Sequence, residues 1–310
     1  MVYTRRDVAK IALASLPLAK VLAAKPNSKI GGVQIGAISY SFRQMPEQGL
    51  DDIIKYMTQI GLSEIELMSN HAENGAGAPP QPRPQAGASR EQMRAAMQEY
   101  NEVLRKWRTS ISMDKFKEVR KKFDEAGIEL HLLCYNMQDR MTDDEIEYGF
   151  QLAKALGAKA ISTSTTITMS KRIAPLADKH KMMVGYHGHD QTSDPNQFAT
   201  LESYATAFSY GKYNGVNLDI GHFTASNYDA VAFIKEHHAR ITNLHLKDRK
   251  KNHGPNTVWG EGDTPLKDVL LLLKENRYPF PGNIEYEYKG TGDPVAEVAK
   301  CYEYCKKILA

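Results

Sequence analysis

Two short apolar runs in this chain end in side chains that an apolar strand does not normally carry. Val216-Asn217-Leu218 runs into Asp219, with His222 three residues on, and Ile241-Thr242-Asn243-Leu244 runs into His245, followed by Lys247 and Asp248. Between them, Asp229 to His238 (DAVAFIKEHH) has the spacing of an amphipathic helix. The unit is strand, helix, strand, with reactive groups at the carboxyl end of both strands. Buried parallel strands read as near-continuous apolar runs, and α/β proteins place their ligand groups at strand carboxyl ends. The same reading picks out Glu66 inside Glu64–Met68, His187 after Met182–Tyr186 (followed by Gly188-His189), and Glu285 inside Asn283–Tyr288. Carboxylates mixed with imidazoles are the ligand types of a catalytic divalent ion such as Zn²⁺, Mn²⁺ or Co²⁺. Singly, each has a plainer reading, since a buried His is commonly a hydrogen-bonded core residue and an Asp before a helix is commonly its cap. Gathered in a packed interior without a cation, the acids would raise one another's pKa and cost stability.

The elements that must position these groups alternate. Gly36–Arg43 reads as a first strand running into a loop, followed by a helix over Asp51–Ile60 that Gly61 closes. Glu64–Met68 is the second strand, and its strand-end carboxylate Glu66 is expected at a site. Helices follow at Arg90–Arg108 and Met113–Ala126, then a third strand at Ile128–Cys134, a helix at Thr142–Leu156 and a fourth strand at Ala158–Thr163. A helix at Lys171–His180, the fifth strand at Met182–Tyr186 and a helix at Gln197–Tyr210 lead to the strands ending at Asp219 and His245. A helix at Leu266–Glu275, an eighth strand at Asn283–Tyr288 and a closing helix at Val295–Leu309 complete the chain. Residues 70–89, rich in Gly, Pro and Ala, are expected to form no regular element and are read as a loop inserted after the second strand, either a lid or a surface insertion. Eight such units argue for the α/β class and a closed (β/α)8 TIM barrel in a single domain, residues 30–310. No GxGxxG or GxxxxGK[ST] turn follows the first strand, which argues against a doubly wound sheet.

Charge and composition bound the function. The 310 residues carry a net charge of +3, with 42% apolar and 25% charged residues, the balance of an ordinary globule. No basic stripe interleaves with aromatics, so no nucleic-acid partner is expected. Three cysteines make no disulfide framework, and Cys134, Cys301 and Cys305 read as small buried hydrophobes. Residues 1–24 differ from the rest. Thr4-Arg5-Arg6-Asp7 precedes a short apolar run ending in small residues, the pattern of a twin-arginine signal peptide and hence of export to the periplasm, with a cytoplasmic first helix as the alternative. That run is too short for a permanent membrane anchor.

Leu218-Asp219-Ile220-Gly221-His222, His245-Leu246-Lys247-Asp248, Gly260-Glu261-Gly262-Asp263 and Gly282-Asn283-Ile284-Glu285-Tyr286-Glu287 carry a family likeness. On them the chain resembles the xylose isomerase-like TIM barrels, the sugar phosphate isomerase/epimerase superfamily that includes ketose 3-epimerases, inosose dehydratase and endonuclease IV. The likeness covers nearly everything after residue 24. It implies a metal held by a carboxylate ending strand five, the Asp of the DxxH, the His ending strand seven and a Glu on strand eight. Asp219, His245 and Glu285 match residue by residue, Glu285 being chosen over Glu287 because it lies seven residues after Tyr278. Strand five departs from the pattern. Where the ketose epimerases have a Glu that is both ligand and acid/base, this chain reads Tyr186-His187-Gly188-His189. His187 is placed on the metal with His189 second, an arrangement similar to inosose dehydratase, so the two-carboxylate mechanism is not carried over whole.

The resemblance therefore implies a metal-dependent isomerase or epimerase acting on a sugar or keto-sugar. A proton leaves beside a carbonyl, and one divalent ion (Mn, Co or Zn in preference to Mg) stabilises the enediolate. Glu285, or His189 if it stays off the metal, is the expected base. Lys247, expected to have a lowered pKa beside the ion, is its candidate partner on the opposite face. His222 is expected to bind a substrate hydroxyl or to support Asp219, Glu66 to hold a distal hydroxyl, and Trp259 to stack on a sugar face. One alternative is a lyase eliminating water or an alkoxide from a 3-keto sugar or inosose, which the strand-five His pair favours. Another is a non-catalytic sugar-binding barrel. Endonuclease-IV-like cleavage would need further histidines on strands two and three; His71 and His131 exist, but the second ligand pair after strand seven is missing. The expected partner is a small-molecule carbohydrate, and assembly into a homo-oligomer is left open.

Overall fold

The computed structural model describes residues 25–82 and 87–310; residues 1–24, expected from the sequence to be a signal peptide, lie outside them. Eight parallel strands pair in chain order: β1 (Val33–Ile38), β2 (Glu64–Met68), β3 (Glu129–Cys134), β4 (Ala160–Thr163), β5 (Met183–His187), β6 (Asn214–Asp219), β7 (Ile241–Leu246) and β8 (Gly282–Ile284). β8 pairs back onto β1 through Ile35–Gly282 and Ala37–Ile284, which closes the barrel. A two-residue strand, Lys29–Ile30, runs antiparallel along the start of β1.

The helices among the described residues are α1 (Leu50–Ile60), α2 (Ser69–Gly75), α3 (Arg90–Arg108), α4 (Asp114–Ala126), α5 (Asp143–Leu156), α6 (Ile167–His180), α7 (Leu201–Tyr210), α8 (Ile220–Ala225), α9 (Ala230–His237), α10 (Leu266–Asn276) and α11 (Pro294–Leu309). Local sequence explains their ends. Gly61 and Gly127 stop α1 and α4 at φ of 87° and 75°, values that favour glycine. Thr142 and Glu145 form a reciprocal capping box at the start of α5. The same helix buries Ile146, Phe150 and Leu152 on the barrel's outer wall. Each such side chain contributes about 1.5–3 kcal/mol when fully buried. Cys134, Cys301 and Cys305 are free thiols inside the core, as expected.

Several boundaries differ from the sequence reading. The first strand begins earlier, at Val33, and residues 39–42 form a 3-10 turn instead of strand. The eighth strand is only three residues long, so Glu285 lies just past its end. The 70–89 segment was expected to lack regular structure, but its start is helical in α2. α8, directly behind Asp219, was not anticipated either; its six residues are too few to show a periodic pattern.

The barrel interior is polar toward its carboxyl end. Successive side chains alternate faces along a strand. Glu64 and Glu66 on β2, Asn217 and Asp219 on β6, and Asn243 and His245 on β7 therefore share the inward face with Asn283 on β8, and all are buried. Branched apolar residues usually fill these layers. Two register irregularities, at Ile65/Glu66 and Val216/Asn217, lie in the strands that carry this ladder; such kinks re-aim side chains.

Candidate active site

His187 ends β5, Asp219 ends β6, His245 lies near the end of β7, and Glu285 follows β8. One ligand atom from each lies within 4.8 Å of the other three, and all four residues are buried. One polar atom in this group is orphaned: His187 Nδ1 is buried and without a hydrogen-bond partner among the described residues. Leaving a buried polar atom unpaired costs about 1–3 kcal/mol. Two imidazoles and two carboxylates meeting this way are the donor set of a divalent ion, so the residues present fit such a group. Local geometry fixes two of them. Asp219 caps α8, its Oδ1 accepting the His222 N–H at 2.7 Å, which leaves Oδ2 facing the cluster. Between His187 and His189, Gly188 leaves no room for a side chain, because a Cβ there would overlap the Tyr204 hydroxyl.

Charge is balanced tightly. His245 Nε2 stands 2.7 Å from Glu66 Oε2, and its Nδ1 stands 3.0 Å from Glu285 Oε2. Burial pushes the His245 pKa down, but the Glu66 and Glu285 carboxylates outweigh it and hold the pKa well above the usual value. Glu66 is itself held by Asn243 Nδ2 at 2.8 Å and by the Ser162 hydroxyl. Lys247 Nζ lies 2.9 Å from Asp219, 2.8 Å from Glu285 and 2.7 Å from Glu287. The Asp219 contact is made through Oδ2, the oxygen that the His222 N–H leaves free. Burial alone would lower the Lys247 pKa, as the sequence reading expected. Among these residues alone, the three carboxylates outweigh burial and raise it. Burial also disfavours the charged form of Glu285, but Lys247 and His245 hold its pKa well below the ordinary range. Burial, reinforced by His245, keeps the His187 pKa low.

A cavity of 370 Å³ opens above the cluster, lined in part by His187, His189, His222, His245, Lys247, Glu285 and Glu287. His189 meets His187 edge-to-face at 4.8 Å and has no side-chain hydrogen bond among the described residues. Its pKa is lowered, first by burial and then by His222, so the imidazole is neutral. His222 also lines the cavity and is held by Asp190 Oδ1 at 3.2 Å and by Arg249 at 2.5 Å.

Two expectations about substrate contacts do not match the placement of the side chains. Glu66 reaches the cavity wall, but both of its oxygens are engaged by Ser162, Asn217, Asn243 and His245, so it supports His245. Trp259 does not line the cavity; it is buried edge-on against Tyr304 of α11, because the loop after β7 folds back onto that helix. Asn217, Asn243, Asp190 and Arg249 were not singled out by the sequence reading, and Glu287 entered it only as the alternative to Glu285. The period-two series 217-219, 243-245-247 and 283-285-287 would have found Asn217, Asn243 and Glu287. Asp190 and Arg249 leave no comparable signal, since they meet His222 from two separate loops.

The chain was compared with known proteins. Residues 54–307 match the family model described as xylose isomerase-like TIM barrel. L-ribulose-5-phosphate 3-epimerase UlaE of Escherichia coli is 32% identical over 118 residues, which is 36% of this chain and 42% of that protein; the matched part thus spans less than half the relative's length. Among solved structures, the IOLI protein with a binding zinc atom is similar at a TM-score of 0.59 and 15% identity, over 90% of this chain and 99% of that one. The probable 3-DHS dehydratase AsbF of Bacillus anthracis is similar at a TM-score of 0.60 and 16% identity, over 89% and 98%. At these identities the structures speak for the fold. The family model covers most of the chain, and with the closed barrel and its strand-end cluster the chain belongs to the xylose isomerase-like TIM barrel family.

Proposed function

We propose that the protein is a metal-dependent isomerase or epimerase of a sugar or keto-sugar, with His187, Asp219, His245 and Glu285 holding one divalent ion. The observation that carries this reading is the pairing of that cluster with a neutral, unengaged His189 in the same cavity wall. A Mn, Co or Zn ion at the four residues would supply Lewis-acid polarisation of a carbonyl oxygen and relief of the negative charge that develops there. His189 takes the proton from the carbon beside the carbonyl; a neutral imidazole with a free ring nitrogen is suited to this. Lys247, held as an ammonium, offers positive charge and a proton to the developing oxyanion. His222, oriented by Asp190 and Arg249, contacts a substrate hydroxyl. The epimerase relative and the zinc-bearing neighbour support this class.

A lyase is the second reading. Two-base epimerisation needs a base on each face of the reacting carbon, and His189 is the one uncommitted base among the described cavity residues. A single base suits isomerisation, and equally elimination from a keto-sugar.

The experiment is elemental analysis of the purified protein and of His245→Ala side by side, followed by proton exchange of keto-sugars in D₂O. About one Mn, Co or Zn per chain, lost in the variant, with exchange abolished in His189→Ala, is the expected result. No metal in the wild type after supplementation would leave a sugar-binding barrel as the better reading. Exchange accompanied by loss of water or an alkoxide would assign the lyase. We also propose that residues 1–24 direct export; replacing Arg5 and Arg6 by lysines should then retain the protein in the cytoplasm on fractionation.

A further inference from the structure

The cavity above the cluster does not end at the reacting site. A second cavity of 440 Å³ adjoins it, and Tyr40, Met68, Cys134 and Asn136 line both. Ligand pockets run from about 300 to 1,000 Å³, so the first cavity suits one sugar ring and the second leaves room for another unit joined to it. We infer that the substrate is a glycoside: the keto ring lies over the cluster, and an uncharged glycosyl unit occupies the second cavity. This rests on the carbohydrate reading of the cluster proposed above.

The second cavity has the build of a binding site. Its far wall comes from α3, where Tyr100 and Asn101 contribute side chains. That wall is anchored. Arg108, at the end of α3 and buried, donates to Glu73 of α2 at 2.7 and 3.1 Å and to Glu145 of α5 at 3.5 Å. Tyr148 also donates to Glu73, at 3.1 Å. Removing one partner would leave a buried charge uncompensated, so the wall is held in place and not loosely draped.

The lining chemistry matches a polyhydroxylated ring. Asn136 stands at the junction, its Oδ1 committed to the Ser164 N–H at 2.8 Å, which leaves its NH₂ as the free donor. Asn101 has no side-chain partner among the described residues and offers both a donor and an acceptor to hydroxyls. Tyr40, 36% exposed, lines both cavities, and the Arg43 guanidinium covers one face of its ring 4.2 Å from the centroid. Arg108 is neutralised by its two glutamates and Arg43 lies 3.6 Å from Glu287. Arg140, exposed at the rim, is the exception.

The test is calorimetric titration of the metal-loaded full chain with methyl 3-ketoglucoside, 3-ketocellobiose and the corresponding glucuronide-terminated keto-disaccharide. The expected result is at least tenfold tighter binding of 3-ketocellobiose than of the methyl glycoside. Asn101→Trp, which fills the second cavity, should collapse that preference, with its melting temperature read in parallel to confirm folding. Arg140→Ala should leave the preference in place. Equal affinity for the one-ring and two-ring probes would overturn the inference while leaving the carbohydrate reading intact. Binding of none of the probes would overturn both. Tightest binding of the glucuronide would overturn the uncharged unit and place Arg140 in the subsite.

Discussion

Glu66 on β2 and His245 on β7 meet across the barrel interior, Oε2 to Nε2 at 2.7 Å, although 179 residues separate them in the chain. The contact fixes which ring nitrogen of His245 is left for the cluster: Nε2 is turned to the carboxylate, and Nδ1 faces Glu285.

Glu66→Gln should therefore weaken metal binding without removing a ligand. Carboxylates that support a ligating histidine typically account for about 10–100-fold in metal affinity. Chelator competition on wild type and variant measures it, and an unchanged affinity would show that His245 is oriented without Glu66.

Lys247→Met strands three carboxylates, Asp219, Glu285 and Glu287, around a vacated cation position. Metal-free protein should lose roughly 3–5 kcal/mol. The rise in melting temperature on adding Mn²⁺ should then exceed that of the wild type, since the ion relieves the repulsion the lysine no longer does. A variant as stable as the wild type without metal would contradict this balance.

Asp219 has two tasks, and two substitutions separate them. Asn keeps an acceptor for the His222 N–H; Ala does not. Both should lose metal. Metal-free Asp219→Ala should be about 0.5–2 kcal/mol less stable than Asp219→Asn, the usual worth of a helix cap. Denaturant midpoints compared between the two variants decide it.

His71, on α2, is buried against Ser39 Oγ at 3.0 Å, and burial pushes its pKa down to about 4. A free histidine titrates near 6.5. Between those values the unfolded chain binds the extra proton, so stability is full above about pH 6.5 and falls as pH drops toward 4. At about 1.4 kcal/mol per pKa unit the loss is at most roughly 3 kcal/mol. His71→Gln should flatten the difference between unfolding midpoints at pH 7 and pH 4.5; an unchanged slope would assign the acid sensitivity elsewhere.

Much of this protein is legible in one dimension because strand and helix periods are local properties. Near-continuous apolar runs and glycine stops mark the β/α units, and four of the five polar residues picked out at strand ends form the cluster. Strand ends must converge once a parallel sheet closes, so His187, Asp219, His245 and Glu285 follow from the pattern and the barrel together. What the chain could not declare locally is the sign of an electrostatic effect. Burial of Lys247 by itself would lower its pKa, and only the convergence of carboxylates from β6 and beyond β8 turns the shift upward. Glu66 looks like a substrate contact until Asn217, Asn243 and Ser162 surround it. Trp259 looks like a stacking platform until its loop folds back onto α11. The second cavity is tertiary as well, since its walls come from the turn after β1, from α2 and α3 and from the end of β3, which only the closed barrel and the Arg108 anchor bring together. Sequence determined the elements and the types of the reactive groups. Tertiary structure decided their charge states and neighbours, because those depend on distances between segments far apart in the chain.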